Sequence, residues 1–390
     1  MDLRFSEEDE AFRTEVHEWL VENLPPGWRN RGSAAPREED QETRREWQRR
    51  LHRGGWLKLA WPAEDGGRAA TPVQQAIYHE ELARAAAPPI IGPLGVSLAA
   101  PTLNMIGSGW QKVAYIEKIL SGEEVWCQGF SEPDAGSDLA GLKTRAVRED
   151  GHWILNGQKV WSSGAHHADR SFLLARSDPT APQHKGIGYF IVDLHQPGIE
   201  VRPIRQITGA GEFCEIFLKD VVVEDRDLVG GPGDGWKAAM ITFGFERGGL
   251  ANAYRFESAV EALAEVARGV GAGADPVARQ RVAQAKVEAT AFKMNALRAL
   301  TRAQAGEAPG PEASLLKLFW SEMDKSTIQE TAIALQGMQG ALAAGDRWSI
   351  EGGRWQYSWL WSQAETIFAG SSEIQRNIIA ERVLGLPRGR

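Results

Sequence analysis

The first apolar periodicity begins almost at once. Phe12, Val16, Trp19 and Leu20 recur at the spacing of one helical face, Ser6 followed by Asp9 offers a capping box, and Pro25-Pro26 ends the run. A polar stretch, RNRGSAAPREEDQETRRE, reads as loop or solvated helix. TPVQQAIYHEELARAA (residues 71–86) predicts another helix with Pro at its first turn, so residues 1–120 form a mostly helical domain. From about residue 121 the period changes to alternation. Asn156-Gly157 lies between two apolar stretches, which is the strongest short hairpin signal, and Asp150-Gly151 marks a turn just before it. SFLLARS, GIGYFIVDL, IEVRPIRQI and CEIFLKDVVVE follow as short β-rich runs. They predict an antiparallel β domain over 121–231, closed by the Gly-rich GGPGDGW (230–236). Residues 232–390 are again rich in Ala, Leu, Glu, Gln and Arg, and long successive helices there predict a bundle.

Composition narrows the function. A chain of 390 residues, 43% of them hydrophobic, is long enough for two or three cores or one composite domain. Its net charge of −8, with no concentrated basic segment, argues against nucleic acid and for a small-molecule ligand. Cys127 and Cys214 stand far apart with no CxxC and no His-rich setting, so two buried reduced thiols and no metal site are expected. The opening MDLRFSEEDE has no apolar signal region, and no run approaches the roughly 18 apolar residues of a membrane span. A soluble, cytoplasmic protein with no membrane partner is the expectation. The 15 Trp residues are scattered and make no stacking platform.

GxGxxG after a strand, Gly-Lys, HExxH and GxSxG are all absent. A Rossmann dehydrogenase, a P-loop nucleotidase, a zincin and an α/β-hydrolase are therefore excluded as readings. What stands out is GFSEPDAGSDLAGL (129–142), where three acids, a Pro and three Gly crowd a loop at the junction of the helical and β regions. Such residues also make ordinary surface turns. The loop nonetheless offers backbone N–H groups and the hydroxyls of Ser131 and Ser137, which suit an anionic, hydrogen-bonding cofactor.

This stretch resembles the first signature of the acyl-CoA dehydrogenase family. QKVWSSGAHHAD (158–169) resembles its flavin-facing strand, and ALQGMQG (334–340) and FAGSSEIQRNIIAERVLG (368–385) match its two C-terminal segments in order and spacing. The resemblance covers essentially the whole chain. It implies an α+β fold with an N-terminal helical domain, a middle antiparallel, barrel-like β domain and a C-terminal four-helix bundle. It also implies FAD, completed by a neighbouring subunit. The backbone around Phe130 and Ser131, with Gly136 and the Ser137 hydroxyl, would face the flavin and its pyrophosphate. Trp161 would cover the isoalloxazine, and Ser163 would bond near N5. From the partner subunit, Gln336 through Gly340 would meet the adenosine half, with Ser371 and Glu373 nearby. Many members carry an Arg before a Phe-Gly pair that reaches the pyrophosphate; here Arg268 is the candidate, and a solvated Arg at a helix end is the alternative.

The implied reaction is α,β-desaturation of an acyl thioester, in which a carboxylate removes the α-proton while the β-hydrogen leaves as hydride to flavin N5. In many members the base is a Glu just before a Gly in the C-terminal segment. Here that residue is Ala369. In the isovaleryl and long-chain branches the Glu lies on the helix after the β domain, immediately before an Arg, and Glu246-Arg247 match that position. The preceding MITFGF is apolar, so burial would raise the Glu246 pKa toward a useful range. An exposed charged pair is the ordinary reading of Glu-Arg; Ala369 decides for Glu246, because a functional member needs one carboxylate. Ala369 keeps the backbone N–H that in the family polarises the thioester oxygen. Ser137, Arg247 and Gly370 are the substrate-side candidates. The resemblance implies an electron-transfer flavoprotein as acceptor and a homotetramer. An acyl-CoA oxidase, a desaturase of a carrier-bound thioester, and a non-catalytic partner subunit of the mixed tetramers found among actinobacterial, steroid-directed members are the alternatives.

Overall fold

The computed structural model describes residues 5–26, 28, 40–245, 249–307, 310, 311, 313–341 and 346–387. Five helices come first: α1 (Glu7–Asn23), α2 (Gln41–Arg53), α3 (Pro72–Arg84), α4 (Ala100–Ile106) and α5 (Gly109–Ser121). Seven strands follow: β1 (Trp126–Gly129), β2 (Arg145–Glu149), β3 (His152–Ser163), β4 (Arg170–Arg176), β5 (Ile187–Asp193), β6 (Ile199–Ile204) and β7 (Phe213–Glu224). The chain then returns to helix with α6 (Gly235–Phe245), α7 (Gly249–Gly269), α8 (Pro276–Gln304), α9 (Ala313–Glu322), α10 (Glu330–Gln336), α11 (Arg354–Glu365) and α12 (Ser372–Ile378). Local signals act as expected at the helix starts. Ser6 and Asp9 form a reciprocal capping box on α1, and Thr71 and Gln74 another on α3, with Pro72 opening the helix. The polar stretch after Pro26 ends in α2, which buries Trp47, Gln48 and Leu51.

By packing, the chain divides into two units. One, Glu38–Leu57 with Pro89–Arg247, contains the sheet. Its strands run β1-β4-β2-β3-β7-β6, with β5 on the other edge of β4. Pairing is antiparallel except that β1 lies parallel to β4, and β2 touches β4 in parallel at Arg145 and Arg176. The long crossover through residues 130–169 permits that parallel contact, since it returns the chain to the same end of the sheet. β4 and β5 are buried almost throughout and accordingly read as continuous apolar runs. The core gathers Trp153, Leu155, Leu173, Phe190, Val192, Ile216 and Val221, with both free cysteines buried.

The second unit, Met1–Arg37, Lys58–Pro88 and Gly248–Arg390, is helical. Phe256, Val260 and Leu263 of α7 pack with Ala285, Ala289 and Phe292 of α8, Met323 and Ile328 between α9 and α10, Ala332 of α10 and Trp355 of α11. α9 runs into α10 through a π-helical segment, Met323–Gln329, so these four rods make the bundle. Arg13 of α1 donates to both Glu80 and Glu81 of α3, at 2.9 and 2.8 Å.

The hairpin signal at Asn156-Gly157 is corrected by the structure. The two-residue turn is Asp150-Gly151, both at positive φ as a type I′ turn requires, and β3 runs straight through Asn156-Gly157. Gly157 is there for close approach: a Cβ would lie 2.4 Å from Thr144 Oγ1 and 2.7 Å from its Cα. Asn156 exchanges hydrogen bonds with Asp220 across a bulge in β7, donating at 3.0 Å and accepting from the Asp220 N–H at 2.9 Å. Gly157→Ala is expected to cost about 1–3 kcal/mol of stability by overpacking, read as a lower midpoint in urea, whereas Gly151→Asn, which keeps a residue tolerant of positive φ, is expected to change little.

Candidate active site

The GFSEPDAGSDLAGL loop leaves β1 and is shaped by a buried ion pair. Glu132-Pro133-Asp134-Ala135 forms a tight turn closed in both directions, Glu132 N–H to Ala135 O at 2.9 Å and Ala135 N–H to Glu132 O at 3.1 Å. The Glu132 carboxylate turns inward and accepts from Lys143 N–H, Thr144 N–H and Lys159 Nζ, at 2.6, 2.9 and 2.7 Å. Lys159, fully buried on β3, also donates to Phe130 O at 3.2 Å. Burial lowers the Lys159 pKa to about 8 against the opposing pull of Glu132. Burial would raise that of Glu132, but the Lys159 charge and the three donors outweigh it and hold the carboxyl below its ordinary value.

The same stretch of β3 presents Trp161. Between Lys159 and Ser162 the register against β7 shifts, so that Val160 and Trp161 face one residue, Glu215. This bulge lets Lys159 and Val160 both turn inward, while Trp161, at φ 61°, is thrown outward and stays 58% exposed. Val160 N–H donates to Ser131 O at 2.9 Å, stitching the loop onto the bulge. The Phe130 ring is buried edge-on to Phe172, Tyr189 and Phe243 of α6, so its backbone, not its side chain, faces the loop surface. Gly136 and Ser137 are exposed, with open space where a Gly136 Cβ would stand, and Ser163 is half-buried opposite Phe213. Gln128 Nε2 and Ser162 Oγ are buried without a hydrogen-bond partner among the described residues. Phe130, Ser131, Gly136, Ser137, Trp161 and Ser163 thus belong to one loop-and-bulge assembly. Glu246 and Arg247 lie outside the described residues; α6 is described up to Phe245.

In the helical unit, α11 ends at Glu365 and α12 starts at Ser372. Ala369 and Gly370 between them are both left-handed, at φ 52° and 84°. The Ala369 N–H has no hydrogen-bond acceptor among the described residues. Ser371 caps α12, accepting from Ile374 N–H, and Glu373 lies exposed in its first turn. Gln336 is buried and already engaged, donating to Ala332 O and accepting from Gln356, which also donates to Gln339 O. Gly340 must be Gly, since a Cβ would meet Ile333 O at 2.7 Å. Arg268 is exposed in the last turn of α7. Behind the turn, Arg255 donates to Asp324 at 2.6 Å and Glu365 at 2.8 Å, and Lys317 donates to Glu365 O. Burial and the Asp324 charge raise the Glu365 pKa to about 7, against the pull of Arg255.

Glu132, Lys159, Gln128 and the Arg255 cluster were not singled out from the sequence. No local signal marked the first two, since Lys159 and Glu132 stand 27 residues apart and become a pair only through burial.

Family models match the chain in consecutive stretches: the acyl-CoA dehydrogenase N-terminal domain over residues 6–123, the middle domain over 127–221 and the C-terminal domain over 233–384. Acyl-CoA dehydrogenase IpdE1 of Mycolicibacterium smegmatis is 40% identical over 399 aligned residues, spanning 98% of each chain. Among solved structures, the Tcur3481-Tcur3483 steroid ACAD superposes with a TM-score of 0.86 at 29% identity over 100% of both chains. The ChsE4-ChsE5 complex from Mycobacterium tuberculosis gives 0.85 at 27% identity, also over 100% of both. Fold and relatives define a flavoprotein oxidoreductase. The chain belongs to the acyl-CoA dehydrogenase family, whose cofactor is FAD.

Lys159→Met alone strands the Glu132 carboxylate and is expected to cost about 3–5 kcal/mol in urea unfolding; the double variant Glu132→Gln/Lys159→Met should recover most of that loss. The Glu365 carboxyl makes a second, pH-dependent prediction. Its folded pKa lies above its unfolded value, so the contribution is complete below about 4.5 and is lost as pH rises through about 7. Between pH 5 and 8 the melting temperature of Glu365→Gln should therefore improve relative to wild type, and a difference that stays flat across that range would refute the assignment.

Proposed function

We propose that this chain dehydrogenates an acyl-CoA thioester between Cα and Cβ, with Glu246 as the base. The carrying observation is the turn at Ala369: a left-handed residue with an unengaged N–H and no carboxylate. An N–H there can polarise a thioester oxygen and stabilise the enolate as the α-proton leaves, but the proton must go to another residue. Glu246 follows directly on α6, whose Thr242 hydroxyl donates to Ala238 O and lies within hydrogen-bond distance of Thr102, and whose Phe243 packs on Phe130. Arg247, Ser137 and Gly370 are the residues proposed to meet the substrate.

The residues present fit FAD. The unpartnered Gln128 Nε2 and Ser162 Oγ, the open approach at Gly136 and the outward indole of Trp161 are what a planar, hydrogen-bonding cofactor needs. Phe130 and Ser131 through their backbone, Ser137, Trp161 and Ser163 would hold it from this chain, with Arg268, Gln336, Gly340, Ser371 and Glu373 contributed by a neighbouring subunit. When bound, FAD supplies the acceptor for the β-hydride. An electron-transfer flavoprotein as the onward acceptor and a cytoplasmic setting belong to the same proposal. The steroid ACAD among the structural neighbours favours a bulky lipid or steroid-derived acyl group. Because two of those neighbours are named as pairs of chains, a mixed tetramer in which this chain partners a second one is the alternative assembly.

Anaerobic addition of short, branched, long and steroid side-chain acyl-CoAs should bleach the flavin absorbance of the wild type with at least one of them. Glu246→Gln should retain flavin and lose bleaching by a factor of roughly 10³ or more. Equal bleaching in both would place the base elsewhere, and a purified chain that holds no flavin would favour the partner-subunit reading.

A further inference from the structure

We propose that Gln375 is the positioning residue of the thioester-binding turn, keeping the Ala369 N–H in the orientation that binds the acyl carbonyl. The assignment rests on the reading above that this N–H polarises the thioester.

Only six residues separate α11 from α12, and Ser372 N–H closes the loop on Thr366 O at 2.9 Å. Within it Ala369 adopts a left-handed conformation that an alanine does not favour by itself, so something must hold it there. The buried amide of Gln375 does so, donating from Nε2 to Ala369 O at 3.2 Å and to Gly370 O at 3.1 Å. On the preceding side Phe368 N–H donates to Ala364 O at 3.0 Å. The Ala369 N–H, which belongs to the peptide between these anchors, is thus gripped from both sides. Relaxation of Ala369 to negative φ would swing its carbonyl off Gln375 and turn the N–H with it. The fit is close: a Cβ on Gly370 would lie 2.5 Å from Gln375 Nε2, so the turn sits directly on the amide.

The position of α12 has other supports. Ser372 Oγ donates to Glu322 at 2.7 Å and Arg376 to the same carboxylate at 3.2 Å, tying α12 to α9. Removing the Gln375 amide should therefore free the turn without undocking the helix.

The test uses the flavin-loaded enzyme and acetyl-CoA labelled with ¹³C at the carbonyl, which has no β-carbon and cannot be dehydrogenated. Isotope-difference infrared spectra read the hydrogen bond to that carbonyl without any turnover. In the wild type the stretch should fall relative to free acetyl-CoA. In Gln375→Met, which keeps length but no donor, and in Gln375→Asn, which keeps the amide but falls short, most of that fall should vanish. With the acyl-CoA that bleaches fastest, kcat should drop roughly 10- to 100-fold, somewhat less than removal of a whole oxyanion donor, with KM, flavin content and melting temperature near wild type. A wild-type stretch and kcat in either flavin-containing variant would overturn the role of Gln375. No fall in the wild type would instead overturn the Ala369 reading, and the role of Gln375 with it.

Discussion

The buried contact between Lys159 and Glu132 is the constraint from which the sheet-side site follows. A lysine with no exposure is tolerated only because a carboxylate and a backbone carbonyl meet its ammonium group. To reach them, Lys159 must turn inward beside an equally inward Val160, and the strand can do that only by bulging. The bulge is what throws Trp161 out at positive φ. One pair of charges therefore shapes the loop, bends the strand and exposes the aromatic ring that is proposed to cover the flavin. The pair also links that loop to the helix leading to Glu246, since Phe130, whose carbonyl Lys159 holds, packs its ring against Phe243.

The helical unit uses a different means to the same end. No charge stands at Ala369; what matters there is backbone. The turn follows Glu365, which with Asp324 is buried and accepts from Arg255, and it is held on its other side by the buried amide of Gln375. In the proposed reaction the backbone N–H of Ala369 would serve the thioester oxygen, while the carboxylate that many relatives have at that position would come from Glu246.

Several residues that the family motif marks as ligand contacts also have local work. Ser371 caps α12, Gln336 bonds within its own helix and to Gln356, and Gly340 makes room for the Ile333 carbonyl. A motif residue is thus not by itself a contact residue, because the fold and the ligand draw on the same polar atoms. Trp161 and Ser137 are the contrary case: both stand exposed, and neither has an evident duty in the fold.

What the sequence determined alone was whatever depends on neighbours a few positions away. Ser6 with Asp9, Thr71 with Gln74, Pro72 at a first turn, and the change from a 3.6-residue to a two-residue period are local, and with them the α, β, α order and the ordered family signatures were legible. Asn156-Gly157 shows where local reasoning fails. Its turn chemistry is real, but Thr144 lies against Gly157 and Asp220 against Asn156, and those contacts keep the strand straight. Lys159 with Glu132, and Arg255 with Asp324 and Glu365, are likewise joined across 27, 69 and 110 residues. Only the tertiary structure could decide them, because burial turns an ordinary charge into a group that must have its partner, and burial is a property of the whole packed chain.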